Sequence, residues 1–135
     1  MSENNTYLFE IRRGKQTDAN FILNSWLKSY RHSPLTKSIR GDIYYKHHHD
    51  KIIKLLSRSK IACAVSKDED SQIYGWACFE EGVLHYIYTK HSYRGFGIAT
   101  EILKSLNGPY EFSHAPMRAS NLFIDGTFNP YRSET

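Results

Sequence analysis

Residues 83–106 constrain the fold of this chain more than any other segment, and they read VLHYIYTKHSYRGFGIATEILKSL. The first six are mostly β-branched or aromatic, which predicts a buried strand. Residues 90–96 then supply positive charge and one glycine. From Gly97 onward the apolar residues Ile98, Ala99, Ile102, Leu103 and Leu106 recur at helical spacing. The segment therefore predicts a strand, a short basic loop and a helix, in that order.

A loop of this kind suits an anion. The first N–H groups of a helix have no partner within the helix, and the helix dipole adds positive potential there. Phosphate is the usual ligand at such a turn. Thr100 stands where a dinucleotide-binding glycine motif needs its third glycine, and the Gly-Lys-Ser/Thr ending of a Walker-type loop is absent. The pattern predicts a phosphate site of another kind.

The hexapeptide Arg94-Gly95-Phe96-Gly97-Ile98-Ala99 resembles the acetyl-CoA-binding motif of the GNAT acetyltransferases, Arg/Gln-x-x-Gly-x-Gly/Ala, which follows a strand in the same way. This resemblance implies one α/β (α+β) domain over residues 1–135. It further implies a mixed, mostly antiparallel sheet with helices on both faces. Typical members of the family continue with a helix and two more strands, and we expect this chain to depart from them with a shortened carboxyl-terminal part. Acetyl-CoA, the co-substrate, would lie where the fourth and fifth strands splay apart.

The resemblance also assigns the cofactor-binding residues. The loop amides would cradle the pyrophosphate, while strand backbone would pair with the pantetheine arm like an extra strand. Arg94 opens the motif, and Thr100 could add a hydroxyl. The loop amides are those of Gly95, Phe96, Gly97, Ile98 and Ala99, and the strand residues are Ile87, Tyr88 and Thr89.

Direct acetyl transfer to a primary amine needs an unprotonated nucleophile. A lysine-like amine of pKa ~10.4 is almost wholly protonated at pH 7, so a base should remove a proton. Some GNAT enzymes place a glutamate early on the fourth strand, but the matching residue here is Val83. His85, two residues further, is predicted to share the face of Val83 and Ile87 and is a candidate base. The alternative is a strand histidine satisfied by its neighbours.

Three further groups are candidates for proton transfer. His114, at the end of a predicted fifth strand, is a second candidate base. Tyr131 or Tyr110 could protonate the leaving thiolate, as a tyrosine does in many relatives. Glu80 and Glu81 are weaker candidates, because we expect turn residues to be solvated.

The missing glutamate and the short carboxyl-terminal part also allow another function. In that alternative the chain is a catalytically silent GNAT-fold module that binds CoA and an acidic protein or nucleic-acid partner. Residues 1–60 carry twelve Lys and Arg against five Asp and Glu, whereas residues 61–135 carry six against nine. The basic half suits an acidic partner, or a macromolecular acceptor such as aminoacyl-tRNA or a protein lysine. No basic and aromatic pattern marks a nucleic-acid module.

The rest of the chain follows the same fold. We predict a strand over residues 7–12, a helix from a cap near Asp18 to Tyr30, a second helix over residues 44–57, and strands over 61–66, 73–80 and 110–114. A helical turn at 121–124 and an extended end at 128–132 complete the prediction. In the GNAT fold the segment between the first two helices borders the acceptor cleft. The resemblance therefore implies that the basic loop 31–42 brings Arg31, His32, Lys37 and Arg40 near the acceptor; the alternative is a solvated loop.

Metal binding and secretion are not expected. The run from His47 to His49 cannot converge on one ion, because adjacent helical residues point about 100° apart; an exposed helix start is the preferred interpretation. Cys63 and Cys78 are expected to be reduced, half-buried thiols that lie near each other across a hairpin. Without a secretion signal or an apolar run of membrane length, the expected location is cytoplasmic.

Overall fold

A computed structural model of the chain describes residues 9–106, 111–114 and 127–134. The helices are α1 (Ala19–Tyr30), α2 (Gly41–Arg58) and α3 (Ile98–Lys104). The strands are β1 (Phe9–Arg13), β2 (Lys60–Ser66), β3 (Ile73–Glu80), β4 (Val83–Thr89), β5 (Glu111–Phe112) and β6 (Thr127–Phe128). Short 3₁₀ turns lie at Gln16–Asp18, His91–Tyr93 and Pro130–Ser133.

The described strands form one mixed sheet in the order β1-β2-β3-β4-β5-β6. β1 to β4 pair antiparallel, and β4–β5 and β5–β6 pair parallel. This is the predicted mixed, mostly antiparallel sheet. The antiparallel meander follows from apolar runs of strand length separated by the charged turn 67–72 and by Glu81-Gly82, where Gly82 has a φ of +79°.

Helices cover both faces of the sheet, as predicted. On one face α1 and α2 pack against the middle strands, with Ile22, Trp26, Tyr44, Ile52 and Leu55 fully buried or nearly so. On the other face α3 packs Ile98 and Ile102 against small residues of the sheet. Coverage on both faces explains why β2 and β3 read as nearly continuous apolar runs rather than alternating ones. Among the described helices, none has the length and apolar character of a membrane span.

Three local predictions are wrong. The second helix begins at Gly41, before the predicted Tyr44. The carboxyl-terminal residues 130–133 form a 3₁₀ turn instead of continuing the extended end. Both cysteines are free as expected, but they are fully buried rather than half-buried. The β2–β3 register keeps them near each other as diagonal neighbours in one core cluster, with Cys63 opposite Trp76 and Cys78 opposite Ile61. The predicted turn at 121–124 lies outside the described residues.

Asp18 does not cap α1 through its side chain, contrary to prediction. Its buried carboxylate instead accepts hydrogen bonds from the Arg12 guanidinium at 2.8 Å and from the Lys15 amide at 2.7 Å. Burial opposes ionisation of Asp18, but the Arg12 and Lys15 hydrogen bonds outweigh it and lower its pKa. Arg12 also donates to the Asp70 carbonyl. The pair therefore ties β1 to the start of α1 and to the turn after β2.

Gly75 of β3 sets how closely α3 can approach the sheet. A Cβ built at this position would lie 2.7 Å from the Tyr88 carbonyl oxygen and 3.0 Å from Cγ2 of Ile98. The carbonyl oxygen belongs to the main chain of β4 and cannot rotate away. The missing side chain therefore lets β4 and the first residue of α3 pack together at this point.

We predict that Gly75→Ala destabilises the protein by ~1–3 kcal/mol, the usual cost of overpacking a dense core. Gly41→Ala is the matched control, since its Cβ would lie 3.9 Å from the flexible end of Arg31 and alanine favours the first turn of a helix. Urea denaturation of both variants measures the difference. Equal stability of Gly75→Ala and the control would contradict the steric argument.

Candidate functional site

The candidate site is the fork between β4 and β5. The two strands pair only at Val83–Glu111 and Leu84–Phe112, and the Ser113 amide then donates to the Leu84 carbonyl at 3.2 Å. Within the described residues, no strand pairs with residues 86–89 of β4 on the side away from β3. This part of β4 therefore presents main-chain groups that an extended ligand can pair with.

A β-bulge at His85 lies at the point where the fork opens. Cys78 of β3 pairs with Tyr86 and Phe79 pairs with Leu84, so β4 carries one extra residue between them. The bulge places Leu84 in the core beneath α3 and Tyr86 in the core beneath α1 and α2. The prediction that His85 shares a face with Ile87 is wrong, because the bulge interrupts the alternation of side chains: Ile87 packs with Leu84, whereas His85 contacts Glu80.

The glycine loop follows β4 directly. Tyr93 stacks on Tyr74 with ring centroids 4.1 Å apart, which holds the start of the loop against β3. The Arg94 guanidinium donates to the Thr89 carbonyl at 3.3 Å. Gly95 and Gly97 have φ values of +89° and +83°, a conformation that side-chain-bearing residues rarely adopt. These contacts place the loop amides at the open end of β4.

The predicted cofactor-binding residues, apart from Ile98, are at least partly exposed in the structure. Ile87, Tyr88 and Thr89 are half-buried on β4, and the loop from Arg94 to Gly97 is exposed, with 63% of Phe96 accessible. Ile98 is buried beneath the loop, while Ala99 and Thr100 lie on the first turn of α3. α3 has only seven residues and ends at Lys104, before the predicted Leu106.

A hydrogen-bonded row of four side chains occupies the fork. His85 Nε2 lies 2.6 Å from Oε2 of Glu80, and His85 Nδ1 lies 2.7 Å from Oγ of Ser113. Ser113 Oγ lies 2.9 Å from Nδ1 of His114. The Arg58 guanidinium of α2 also donates to Glu80, at 2.9 Å. The structure thus brings the two predicted histidines together through a serine that the sequence analysis did not identify.

The charges in this row are set by burial and by Arg58. Burial would raise the pKa of Glu80, but the hydrogen bonds from His85 and Arg58 outweigh it and hold that pKa below its usual value. Burial lowers the pKa of His85, and its hydrogen bond to Glu80 only partly offsets this. At neutral pH Glu80 is therefore a carboxylate and His85 an uncharged imidazole.

His114 is packed among aromatic rings. Its ring centroid lies 4.9 Å from Tyr30, 5.3 Å from Trp26 and 6.1 Å from Tyr86. Only 5% of His114 is exposed, and this burial lowers its pKa to about 3. The Trp26 indole N–H is buried and has no hydrogen-bond partner among the residues that the structure describes. The end of β5 therefore meets α1 through an apolar, aromatic layer.

Tyr131 lies apart from this row. It is 75% exposed in the turn Pro130–Ser133, and the neighbouring Arg132 donates to the Glu81 carbonyl. That contact places the turn near the beginning of β4, whereas the glycine loop follows its end. Because a seven-residue strand such as β4 spans roughly 20 Å, the turn that carries Tyr131 lies about that far from the glycine loop. Tyr110 lies outside the described residues.

Glu80 differs from its sequence interpretation. It is the last residue of β3 and is partly buried in contacts with Arg58 and His85, rather than being a solvated turn residue. Ser113 carries no sequence signal, because a serine after a two-residue strand is indistinguishable from a loop residue. Contact between residues 85 and 113 depends on the parallel pairing of β5 with β4, which is not readable from local pattern.

The basic loop before α2 is folded onto the helices. The Arg31 guanidinium lies 4.9 Å from the centre of the Tyr44 ring and donates to the Thr36 carbonyl. Arg40 pairs with Asp42, and both His32 and Lys37 are exposed. Their proximity to an acceptor remains a prediction.

The three adjacent histidines lie inside α2, not at its start. His48 packs against Tyr44 and Tyr30, and burial lowers its pKa to about 4. His47 and His49 are exposed. In the part of the chain that the structure describes, no three His, Cys, Asp or Glu side chains are grouped as metal ligands would be.

Comparison with solved structures identifies the fold. No protein-family model matches the sequence, and no curated protein matches it either. The apo form of YjaB from Escherichia coli is similar with a TM-score of 0.56 at 15% identity, over 73% of this chain and 64% of that one. A possible acetyltransferase from Clostridium difficile 630 is similar with a TM-score of 0.51 at 12% identity, over 88% and 84%.

A third similar structure contains a cofactor. The yncA protein from Salmonella typhimurium, with its cofactor acetyl-CoA, has a TM-score of 0.50 at 14% identity, over 74% of this chain and 61% of that one. The chain thus spans less than two thirds of the length of the YjaB and yncA structures. Together with the sheet order, the two helical layers and the fork, these similarities show that the chain has the fold of the GNAT superfamily.

Because His114 is buried in its uncharged form, we predict that the protein loses stability in acid. An unfolded imidazole titrates near pH 6.5, whereas folded His114 stays uncharged down to about 3. Between these values the unfolded chain binds a proton that the folded chain does not. The free energy of unfolding is therefore highest above pH 6.5 and falls as the pH drops below that value. One such group contributes a slope of about 1.4 kcal/mol per pH unit.

Urea denaturation between pH 7 and 5 measures that slope. In His114→Phe the slope should shrink by about one group's contribution, while the exposed His32→Gln should keep the wild-type slope. Parallel slopes for all three proteins would show that His114 is not buried in the uncharged form.

Proposed function

We propose that this protein is an acetyl-CoA-dependent N-acetyltransferase that moves an acetyl group directly to a primary amine. One observation carries the proposal: the loop with two positive-φ glycines follows β4 at the point where β4 and β5 have parted. The loop offers amides for a diphosphate, and the adjoining strand edge offers groups for an extended arm. A ligand with both parts in that order is a coenzyme A thioester.

The cofactor would lie along β4 and over the loop. Main-chain groups of Ile87, Tyr88 and Thr89 pair with the amides of the pantetheine arm. The amides from Gly95 to Ala99 hold the pyrophosphate, with Arg94 and Thr100 at the two ends of the loop. The exposure of this surface, and a β4 edge that no described strand pairs with at residues 86–89, support this placement. The presence of acetyl-CoA in the yncA structure supports the choice of cofactor.

The reaction follows from the position of the fork. The amine nitrogen forms a bond to the thioester carbon, and one N–H of the β4 edge stabilises the oxyanion. The carbon–sulfur bond then breaks, and CoA leaves as the thiolate. A base takes the proton from the attacking nitrogen. His85 and His114 are the candidate bases, because both lie where β4 and β5 diverge. The placement of Tyr131 gives it less support as the acid for the thiolate.

The free, buried thiols of Cys63 and Cys78 fit a reducing, cytoplasmic setting for this reaction.

Acetyl-CoA binding tests the proposal through two matched glycine variants. Gly97 and Gly82 have φ values of +83° and +79°, so alanine should strain both to a similar degree, but only Gly97 lies in the loop. We predict that acetyl-CoA at a hundred times its Kd stabilises the wild type and Gly82→Ala by about 2.7 kcal/mol. Gly97→Ala should lose most of this gain. Thermal denaturation with and without acetyl-CoA measures it.

Several outcomes separate the possibilities. A wild-type protein that acetyl-CoA does not stabilise would refute the cofactor site. Equal loss of binding in both variants would show that the loop is not the site. Binding of acetyl-CoA without acetyl transfer to any amine would support the silent CoA-binding module instead.

A further inference from the structure

The row Glu80–His85–Ser113–His114 joins the inside of the fork to the surface. His114 is 5% exposed and lies beyond the last paired residue of β5. At the other end, the Glu80 side chain is 27% exposed and pairs with Arg58. Each contact between neighbours in the row is between 2.6 and 2.9 Å. Four polar side chains aligned in this way make a continuous path for a proton.

The hydrogen-bonding chemistry gives the row a direction. An ionised Glu80 can only accept, so the shared proton belongs to Nε2 of His85. In an uncharged imidazole the other nitrogen is then an acceptor, and Nδ1 of His85 accepts the Ser113 hydroxyl. The Ser113 oxygen in turn accepts from Nδ1–H of His114. In this uncharged tautomer Nε2 of His114, at the end of the row opposite Glu80, is the nitrogen that carries the lone pair.

We propose that His114 Nε2 receives the proton of the attacking amine, and that Ser113, His85 and Glu80 are positioning residues that hold its tautomer and pass a proton outward. The inference rests on the proposed acetyl transfer. As the amine N–H bond breaks, an N–H bond forms at His114 Nε2, and His114 Nδ1 gives its proton to Ser113 Oγ. The serine proton moves to Nδ1 of His85, and the Nε2 proton of His85 moves to Glu80, which releases it to water.

Burial explains why such a path is needed. The pKa of His114 is lowered to about 3, first by burial and then by the positive charge of Lys51 and by the imidazoles of His85 and His48. A ring with this pKa cannot keep a proton at pH 7. It can accept one only while it gives another away, and the adjacent Ser113 hydroxyl is the group that takes it. Around His85, the charged groups are Glu80, Arg58 and Arg132.

Two substitutions at Ser113 separate relay from packing. Ser113→Ala removes the hydroxyl that connects the two imidazoles, and Ser113→Thr keeps a hydroxyl there. Ser113 belongs to neither the glycine loop nor the β4 edge, so both variants should bind acetyl-CoA with wild-type Kd in calorimetry. Long-range proton–nitrogen NMR of the imidazoles reports the tautomers without any acceptor. We expect His85 as the Nε2–H form and His114 as the Nδ1–H form in wild type and Ser113→Thr, and shifted resonances of both rings in Ser113→Ala.

Turnover completes the test, with benzylamine as the probe amine. The kcat of Ser113→Ala should fall roughly 100-fold, the usual range for losing general base catalysis, with an unchanged KM for acetyl-CoA. Ser113→Thr should retain kcat within a few-fold. Equal kcat in both variants, or a wild-type His85 protonated at Nδ1, would overturn the relay. If the wild type binds acetyl-CoA but does not acetylate benzylamine, the tautomers of His85 and His114 measured by NMR are the test of the relay. Absence of acetyl-CoA binding would instead refute the proposed function.

Discussion

The β-bulge at His85 is the constraint on which the arrangement of the site depends. By inserting one residue into β4 between the partners of Cys78 and Phe79, it turns Leu84 and Tyr86 toward opposite faces of the sheet. A bulge also bends its strand and increases the local twist. Pairing between β4 and β5 stops at the same level. The bend, the fork and the placement of a histidine at its apex therefore have one common origin in the backbone.

The bulge also places His85 against Glu80, and Arg58 affects which of the two groups is charged. A carboxylate half removed from water next to a buried imidazole could share its proton in either of two ways. Burial keeps His85 uncharged although Glu80 favours its protonation, and the Arg58 guanidinium of α2 adds to the His85 hydrogen bond in keeping Glu80 ionised. Since α2 packs on the same face through Ile52 and Leu55, the protonation state inside the fork depends on correct docking of that helix.

The sequence predicted the regular parts of the fold well and the fork less well, for physical reasons. The meander, α1 and the strand–loop–helix unit are local patterns, so periodicity and glycine placement suffice to find them. The extra residue in β4 cannot be seen, because VLHYIY alternates equally well with or without a bulge. Placing His85 on a face by alternation therefore failed, and Ser113 was missed because its partners come from parallel pairing across 28 residues. Asp18 has the residue type of a cap, but the nearby Arg12 outcompeted the helix amides.

The bare backbone at Gly75 has a consequence for how the loop and the fork are spaced. Where α3 meets the sheet, the contact is made by main chain and small residues, Gly75, Ala62, Ala64 and Ala77. At Gly75 itself no side chain separates Cγ2 of Ile98 from the main chain of the sheet. The first residue of α3 and the main chain of β4 are therefore held in close contact at Gly75, on the strand that carries the fork. A side chain added at Gly75 would have to push α3 and β4 apart, and so would move the glycine loop relative to the fork.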